Sequence, residues 1–199
     1  MRKIGLGRPV AWAALGMHVL LLAAFGVFVP WLKGVEFMDP ALPMIYVCLG
    51  PLFAAPALVQ LVRDSGAEWP ITWTTTWTKI AAATVYGEGM TLALLLLGLG
   101  TVLIGHRQAY LFLPDPILLG EAVLLGLGLT LALTAMSAWI TLQFSGRMAM
   151  VVLRVLFLLL FAVFLLRSWW LPSIAGWGAV ISFGVAGCFL LLVRQRTAR

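Results

Sequence analysis

Charge is what this chain has least of. Only 10% of its 199 residues are Asp, Glu, Lys or Arg, where a water-soluble domain carries about a quarter. So little polar surface cannot cover a globule in water, which excludes an ordinary soluble fold. Cysteine is scarce as well: Cys48 and Cys188 stand apart in separate apolar stretches. Neither belongs to a C-x-x-C, which argues against a disulfide-exchange enzyme and leaves both as small hydrophobes. The two histidines, His18 and His106, fall near opposite ends of their apolar runs, roughly 20 Å apart along a membrane normal. They cannot clamp one haem. No His, Cys or carboxylate set has ligand spacing, so no metal is expected, and no Ser–His pairing suggests a hydrolase. The three lysines, Lys3, Lys33 and Lys79, follow Arg2, Leu32 and Thr78, so the G-x-x-x-x-G-K-[ST] phosphate cradle is missing. The expectation is a chain that is not an enzyme, with no catalytic residues, no cofactor and no ATP site of its own.

What fills the chain is oil. Hydrophobic residues make up 63% of it, and runs such as "MTLALLLLGLGTVLIG" and "RVLFLLLFAVFLL" match the ~20 residues that cross a ~30 Å hydrocarbon core. The runs are continuous rather than alternating, and a backbone in lipid must satisfy its own hydrogen bonds, so they read as helices. Six are expected, over 10–31, 42–62, 80–104, 117–142, 148–166 and 174–193, forming an all-α polytopic membrane protein of one domain. The basic N-terminus precedes an apolar run too long for a signal peptide and is read as a retained first span.

Positive charge sets the direction. With a cytoplasmic N-terminus the inside carries Arg2, Lys3, Arg8, Arg63, Lys79, Arg147, Arg154, Arg194, Arg196 and Arg199, and the outside Lys33, Arg107 and Arg167. That asymmetry puts both termini in the cytoplasm. The net charge of +6 then reports anionic headgroups rather than nucleic acid. A bacterial inner or plasma membrane is the expected location.

Between the second and third runs lies "EWPITWTTTWTK". Trp69, Trp73 and Trp77 are four apart and share one face of a helix. Pro70 suits a first turn, and Asp64 and Glu68 before it and Lys79 after it match the helix dipole. The spacing predicts an amphipathic helix over 69–79, lying in the headgroup layer with its threonines toward the cytosol. A strand reading, from the period of two in Trp69, Ile71, Trp73 and Trp77, leaves backbone groups unpaired. The tryptophans serve either as an aromatic anchor or as a docking element for a cytoplasmic partner.

This layout, with "LVRDSGAEWPITWTTTWTKI" after the second span and "LTAMSAWITLQFSGRMAMVV" joining the fourth and fifth, resembles the permease subunits of ABC-2-type transporters. The resemblance implies that Trp69, Trp73, Trp77 and Lys79 form a coupling helix entered at Arg63 and Asp64 and seated on a separate ABC ATPase subunit. That partner would hold ATP and Mg, and a second permease copy, identical or related, would complete the pathway for a small amphipathic molecule, peptide or lipid. The chain departs from the family where Gly66 is followed by Ala67, and where "RSWWLPS" leaves no room for an outer helical insertion. Two other transport layouts share the span count: the substrate-capture subunit of an energy-coupling-factor importer and the cytochrome c maturation exporter subunit. A non-transporting membrane anchor of a complex is the reading of a different class.

Ionisable groups at membrane depth are costly and mark either helix-to-helix bonds or pathways. Glu88 is expected ~12 Å from the inner end of its span, with His18 at similar depth and Arg154 slightly shallower, either of which could pair with it. Gly87 and Gly89 beside it allow close helix approach or local loosening. Thr130, Thr134, Ser137 and Thr141 share a helical face; they either bond their own helix and pack against neighbours, or line a polar path.

Overall fold

A computed structural model of the chain describes residues 16, 18–39, 45–46, 49–51, 53–54, 72–106, 115–143 and 171–198. Among them every regular element is helical. Four helices are long and apolar enough to cross a membrane: α1 (His18–Met38), α2 (Trp73–Gly105), α3 (Pro116–Gln143) and α4 (Leu171–Thr197), the last qualifying over Ala175–Thr197. Most of the expected second run, and all of the fifth, lie outside the described residues. The described residues fall into two compact units. One takes Met1–Asp39 with Ala93–Leu113, the other Pro40–Leu92 with Pro114–Arg199.

In the first unit, α1 is an irregular helix. Its middle widens into a π turn over Ala24–Phe28, where the Val29 N–H bonds the Ala24 carbonyl. Pro30 is the cause, since a proline has no N–H for the carbonyl four residues earlier and its ring crowds that carbonyl. The carbonyl concerned is that of Gly26, and the Thr101 hydroxyl of α2 approaches it at 3.3 Å while bonding Leu97 at 2.8 Å. A bond lost within one helix is thereby supplied from its neighbour, as lipid requires. Gly26 packs on Leu94 and Leu97, and Trp31 lies against Gly105, so the two helices run parallel here. At Gly34, with φ at +55°, the chain turns back, and Phe37 returns to pack on Gly98. The His106 ring sits against Gly34 and tilts on Trp31, their centroids 6.0 Å apart.

α2 corrects the expectation for the tryptophan stretch. Among the described residues Trp73–Gly105 is one helix of 33 residues, about 50 Å long, so 73–79 is not a helix separate from the span expected at Ile80. Trp69 lies outside the described residues. Thr72 begins the helix through a reciprocal cap, its N–H bonding Thr75 Oγ1 at 3.2 Å and the Thr75 N–H bonding Thr72 Oγ1 at 3.3 Å. No proline or glycine then interrupts the chain before Gly87. The threonines do not need the cytosol, because Thr75, Thr76 and Thr78 donate to carbonyls of Thr72, Thr72 and Thr74 at 2.8–2.9 Å. A sequence that changes from polar to apolar at Lys79 therefore stays helical across the change.

In the second unit, α2 and α3 run antiparallel. Ile80 shares a core cluster with Ala138, Thr84 meets Thr134 at 3.0 Å, and Glu88 meets Thr130. Each step of four along α2 is answered by a step of four back along α3. α3 opens on Asp115, whose carboxylate caps the Ile117 N–H at 2.9 Å, with Pro116 at the first helical position. Its bounds agree with the expected 117–142. α4 packs on α3 in parallel, Gly176 near Glu121, Gly178 against Leu125, Gly128 against Ser182 and Phe183, and Trp139 against Phe189. Ala122, Leu125, Ala175 and Ala179 fill the contact at one end.

Gly128 has no room for a methyl group, since a Cβ there would overlap Ser182 Oγ. Gly128→Ala is expected to destabilise the protein by about 1–3 kcal/mol, read as a lower unfolding temperature in detergent. Adding Ser182→Ala should return part of the loss; equal unfolding of wild type and Gly128→Ala would contradict this packing.

Candidate functional site

Among the described residues, the carboxylate buried in the second unit is that of Glu88. Glu88 is 6% exposed and lies one residue from Gly89, the middle of α2. Thr130, on α3, is equally central, and its hydroxyl donates to Glu88 Oε1 at 2.5 Å. Thr91, one turn further along α2, donates to the Glu88 backbone carbonyl at 2.9 Å and holds its Oγ1 at 3.5 Å from Oε2. One turn in the other direction, Thr84 donates to Ile80 at 2.8 Å and touches Thr134, which itself donates to Thr130 and Leu131 at 2.8 and 3.0 Å. Thr84, Thr91, Thr130 and Thr134 are all buried. The result is a short oxygen-lined column between two helices, at the mid-height of both.

A third segment closes it. The chain is helical at residues 45–46, 50–51 and 53–54, and Gly50 lies against both Glu88 and Thr130. A Cβ on Gly50 would collide with Glu88 Oε1 and with Thr130 Oγ1. Gly87 is packed in the same way, since a Cβ there would lie 2.6 Å from the Gly50 carbonyl and 2.8 Å from the Ala54 methyl. Two glycines thus let two backbones meet beside the carboxylate. Gly89, on the other flank of Glu88, has open space around it, so it does not serve that approach.

The other sequence-predicted residues separate into groups. Of the threonine face, Thr130 and Thr134 reach α2, whereas Ser137 and Thr141 donate to carbonyls of their own helix at 2.6–3.0 Å. Trp73 and Trp77 stack with centroids 6.0 Å apart and planes 23° apart, a closeness that a helix gives and a strand, with such residues ~13 Å apart, does not. Trp73 packs on the core cluster of Ile80, Ala83, Ala138 and Val193, while Trp77 is 40% exposed. Lys79 is half-buried on the same helix. His18 belongs to the first unit. The bonds described for Glu88 come from hydroxyls and not from a histidine. Arg63, Asp64, Trp69 and Arg154 lie outside the described residues. Among the described residues, no three His, Cys, Asp or Glu side chains group as metal ligands.

Sequence reasoning named Gly87 for close helix approach, as found, but did not single out Gly50, Thr84 or Thr91. Thr84, Glu88 and Thr91 share one face of α2 by their four–three spacing, a pattern readable in the sequence. Gly50 carries no such mark.

Compared with protein families, curated proteins and solved structures, the chain matches none.

Thr130→Val keeps the shape and removes the hydroxyl on Glu88. It is expected to cost about 1–3 kcal/mol, the penalty for stranding a buried polar group. Thr141→Val, which loses only a bond within its own helix, should cost under ~1 kcal/mol. Comparative thermal unfolding in detergent checks the order; equal losses would remove the special status of the Glu88–Thr130 pair.

Proposed function

We propose that the chain is the six-span permease subunit of a membrane transporter, with both ends in the cytoplasm and Glu88 on the route of its substrate. The observation that carries this is the buried carboxylate at the middle of α2, enclosed by two helices and by the segment of Gly50. A group so costly to bury, at the depth where transporters bind their substrates, is the natural working part of a chain otherwise made of oil.

Helix direction supports six crossings. α1 and α2 are parallel neighbours in the first unit, and α3 and α4 are parallel neighbours in the second. Parallel pairs accord with the six apolar runs read from the sequence, an even number that puts both ends on one side. The excess of Lys and Arg names that side as the cytoplasm.

An ATP-driven form, in the layout of the ABC-2-type exporters, has the support of this topology and of a chain that lacks a phosphate-binding loop. A separate ATPase subunit and a second permease copy belong to that form. The flat lever does not, because Trp73, Trp77 and Lys79 begin α2 itself. A motor subunit would instead engage the end of a rod whose Trp77 is exposed and whose Glu88 lies fifteen residues on, about 22 Å along the axis.

Purification of the tagged chain from its native membrane, with mass measurement of what accompanies it, is expected to recover an ATPase subunit. Trp77→Ala should lower that recovery several-fold while membrane insertion is unchanged. In the recovered complex Glu88→Gln should reduce ATP hydrolysis several-fold. Recovery without any nucleotide-hydrolysing subunit would remove the ATP-driven form. Unchanged hydrolysis in Glu88→Gln would remove Glu88 from the pathway.

A further inference from the structure

We infer that the Glu88 site binds one small monovalent cation, a proton or an alkali-metal ion, and that Gly50 closes the site over it. The inference rests on the permease reading and names what that site takes up. Its first support is the chemistry of the lining. The polar atoms described at the carboxylate are oxygens: beside Oε1 and Oε2 of Glu88 stand the hydroxyls of Thr130 and Thr91. Hydroxyls donate hydrogen bonds to a carboxylate, but they do not cancel its charge. In an apolar bundle an uncancelled charge costs several kcal/mol. Among the described residues no cationic side chain bridges to Glu88, and a compensating cation is therefore part of the site in the closed state.

The size and charge of that cation follow from the same atoms. One carboxylate with neutral oxygens offers a single negative charge and hard donors, which suits a proton or an alkali-metal ion. Calcium and zinc favour more carboxylates, or nitrogen and sulfur, than are gathered here. Gly50 sets the volume, because even a methyl group on it would overlap Glu88 and Thr130, so an organic ammonium has no room beside them. Release of the cation requires Gly50 to move off the pair, against the packing of Ala54 on Gly87.

Among the described residues, other titratable groups on the packed elements are few. The Gly50 segment carries buried Tyr46, α3 carries Glu121 near its start, and α2 carries Lys79 and Tyr86. Tyrosine and lysine ordinarily titrate well above neutrality, and Glu121 lies nine residues from Thr130, about 13 Å along α3. Comparison with a Glu88 variant isolates the site from all four.

The test uses the full chain purified in detergent. Its unfolding temperature is followed in sodium, lithium, potassium and choline chloride at one pH and ionic strength, and then in choline chloride from mildly acidic to mildly alkaline pH. The wild type is expected to gain about 3 °C or more from sodium, lithium or potassium over choline if the ion is an alkali metal. If the ion is a proton, the gain comes only from acidification. Glu88→Gln is expected to lose whichever response the wild type shows. Identical responses in the two proteins, or none in the wild type, would overturn the inference. A permanent pairing of Glu88 with a cationic side chain of the chain would give that second result. Should Glu88→Gln not fold, wild-type labelling at Glu88 by a hydrophobic carbodiimide, read by peptide mass, takes its place. Labelling suppressed by an alkali ion or by raised pH supports the site, and labelling indifferent to both overturns it. A flat temperature series beside impaired ATP hydrolysis in Glu88→Gln removes the cation and leaves the permease reading standing.

Discussion

Every polar atom that enters lipid or a lipid-like core has to bring its partner with it, and the second unit is organised around the hardest instance of that constraint. Glu88 can sit at the middle of α2 because Thr130 on α3 donates to it and Thr91 on its own helix stands at its other oxygen. That requirement fixes the register of the two helices. Once Glu88 faces Thr130, antiparallel geometry brings Thr84 to Thr134 and Ile80 to Ala138, and a slip of one residue would rotate the carboxylate away from its donor. The same constraint limits the third segment. Only glycine at 50 lets a backbone come against an occupied carboxylate–hydroxyl pair, and only glycine at 87 receives it.

Threonine answers the constraint elsewhere in the chain. At the start of α2, three threonine hydroxyls bond the carbonyls of the preceding turn, so a stretch that looks hydrophilic by composition is largely self-satisfied. Thr101 bonds Leu97 of its own helix and also approaches the Gly26 carbonyl of the neighbouring helix that Pro30 cannot bond. Polarity along such a chain is therefore a poor guide to what faces water. What matters is whether a hydroxyl has a carbonyl one turn back, and in a helix it nearly always does.

That explains which features were legible in the sequence. The helix over Pro116–Gln143 was readable to within a residue at each end, because Asp115 and Pro116 mark its start and a continuous apolar run fills it. Glu88 stood out by its charge, and the Thr130–Thr134 face by its spacing. The division at Lys79 was misread, since hydropathy changes there and hydrogen bonding does not. The better signal was the reciprocal Thr72–Thr75 cap, which marks the true beginning of the helix. The end of α1 was readable to within two residues, since the helix runs past the expected Trp31 to Lys33 before the chain turns back at Gly34. Gly50 was beyond reach, because a glycine thirty-eight residues from Glu88 declares nothing about the neighbour it makes room for.

The continuity of α2 also limits how the site can work. A lever lying on the surface could tilt without disturbing Glu88, but a helix unbroken from Trp73 carries any displacement of its first turns to the carboxylate. Since Trp73 is packed into the cluster of Ile80, Ala83, Ala138 and Val193, that end of α2 is tied to α3 and α4, and sliding α2 past α3 would break the Thr84–Thr134 and Glu88–Thr130 contacts together. The remaining boundary of the site is the one made by Gly50 and Gly87, where the Gly50 carbonyl and the Ala54 methyl lie against Gly87. Of the contacts around Glu88 it is the one that can open without first breaking a described side-chain bond between α2 and α3. A movement at the carboxylate that spares those bonds is therefore a movement at the Gly50 contact.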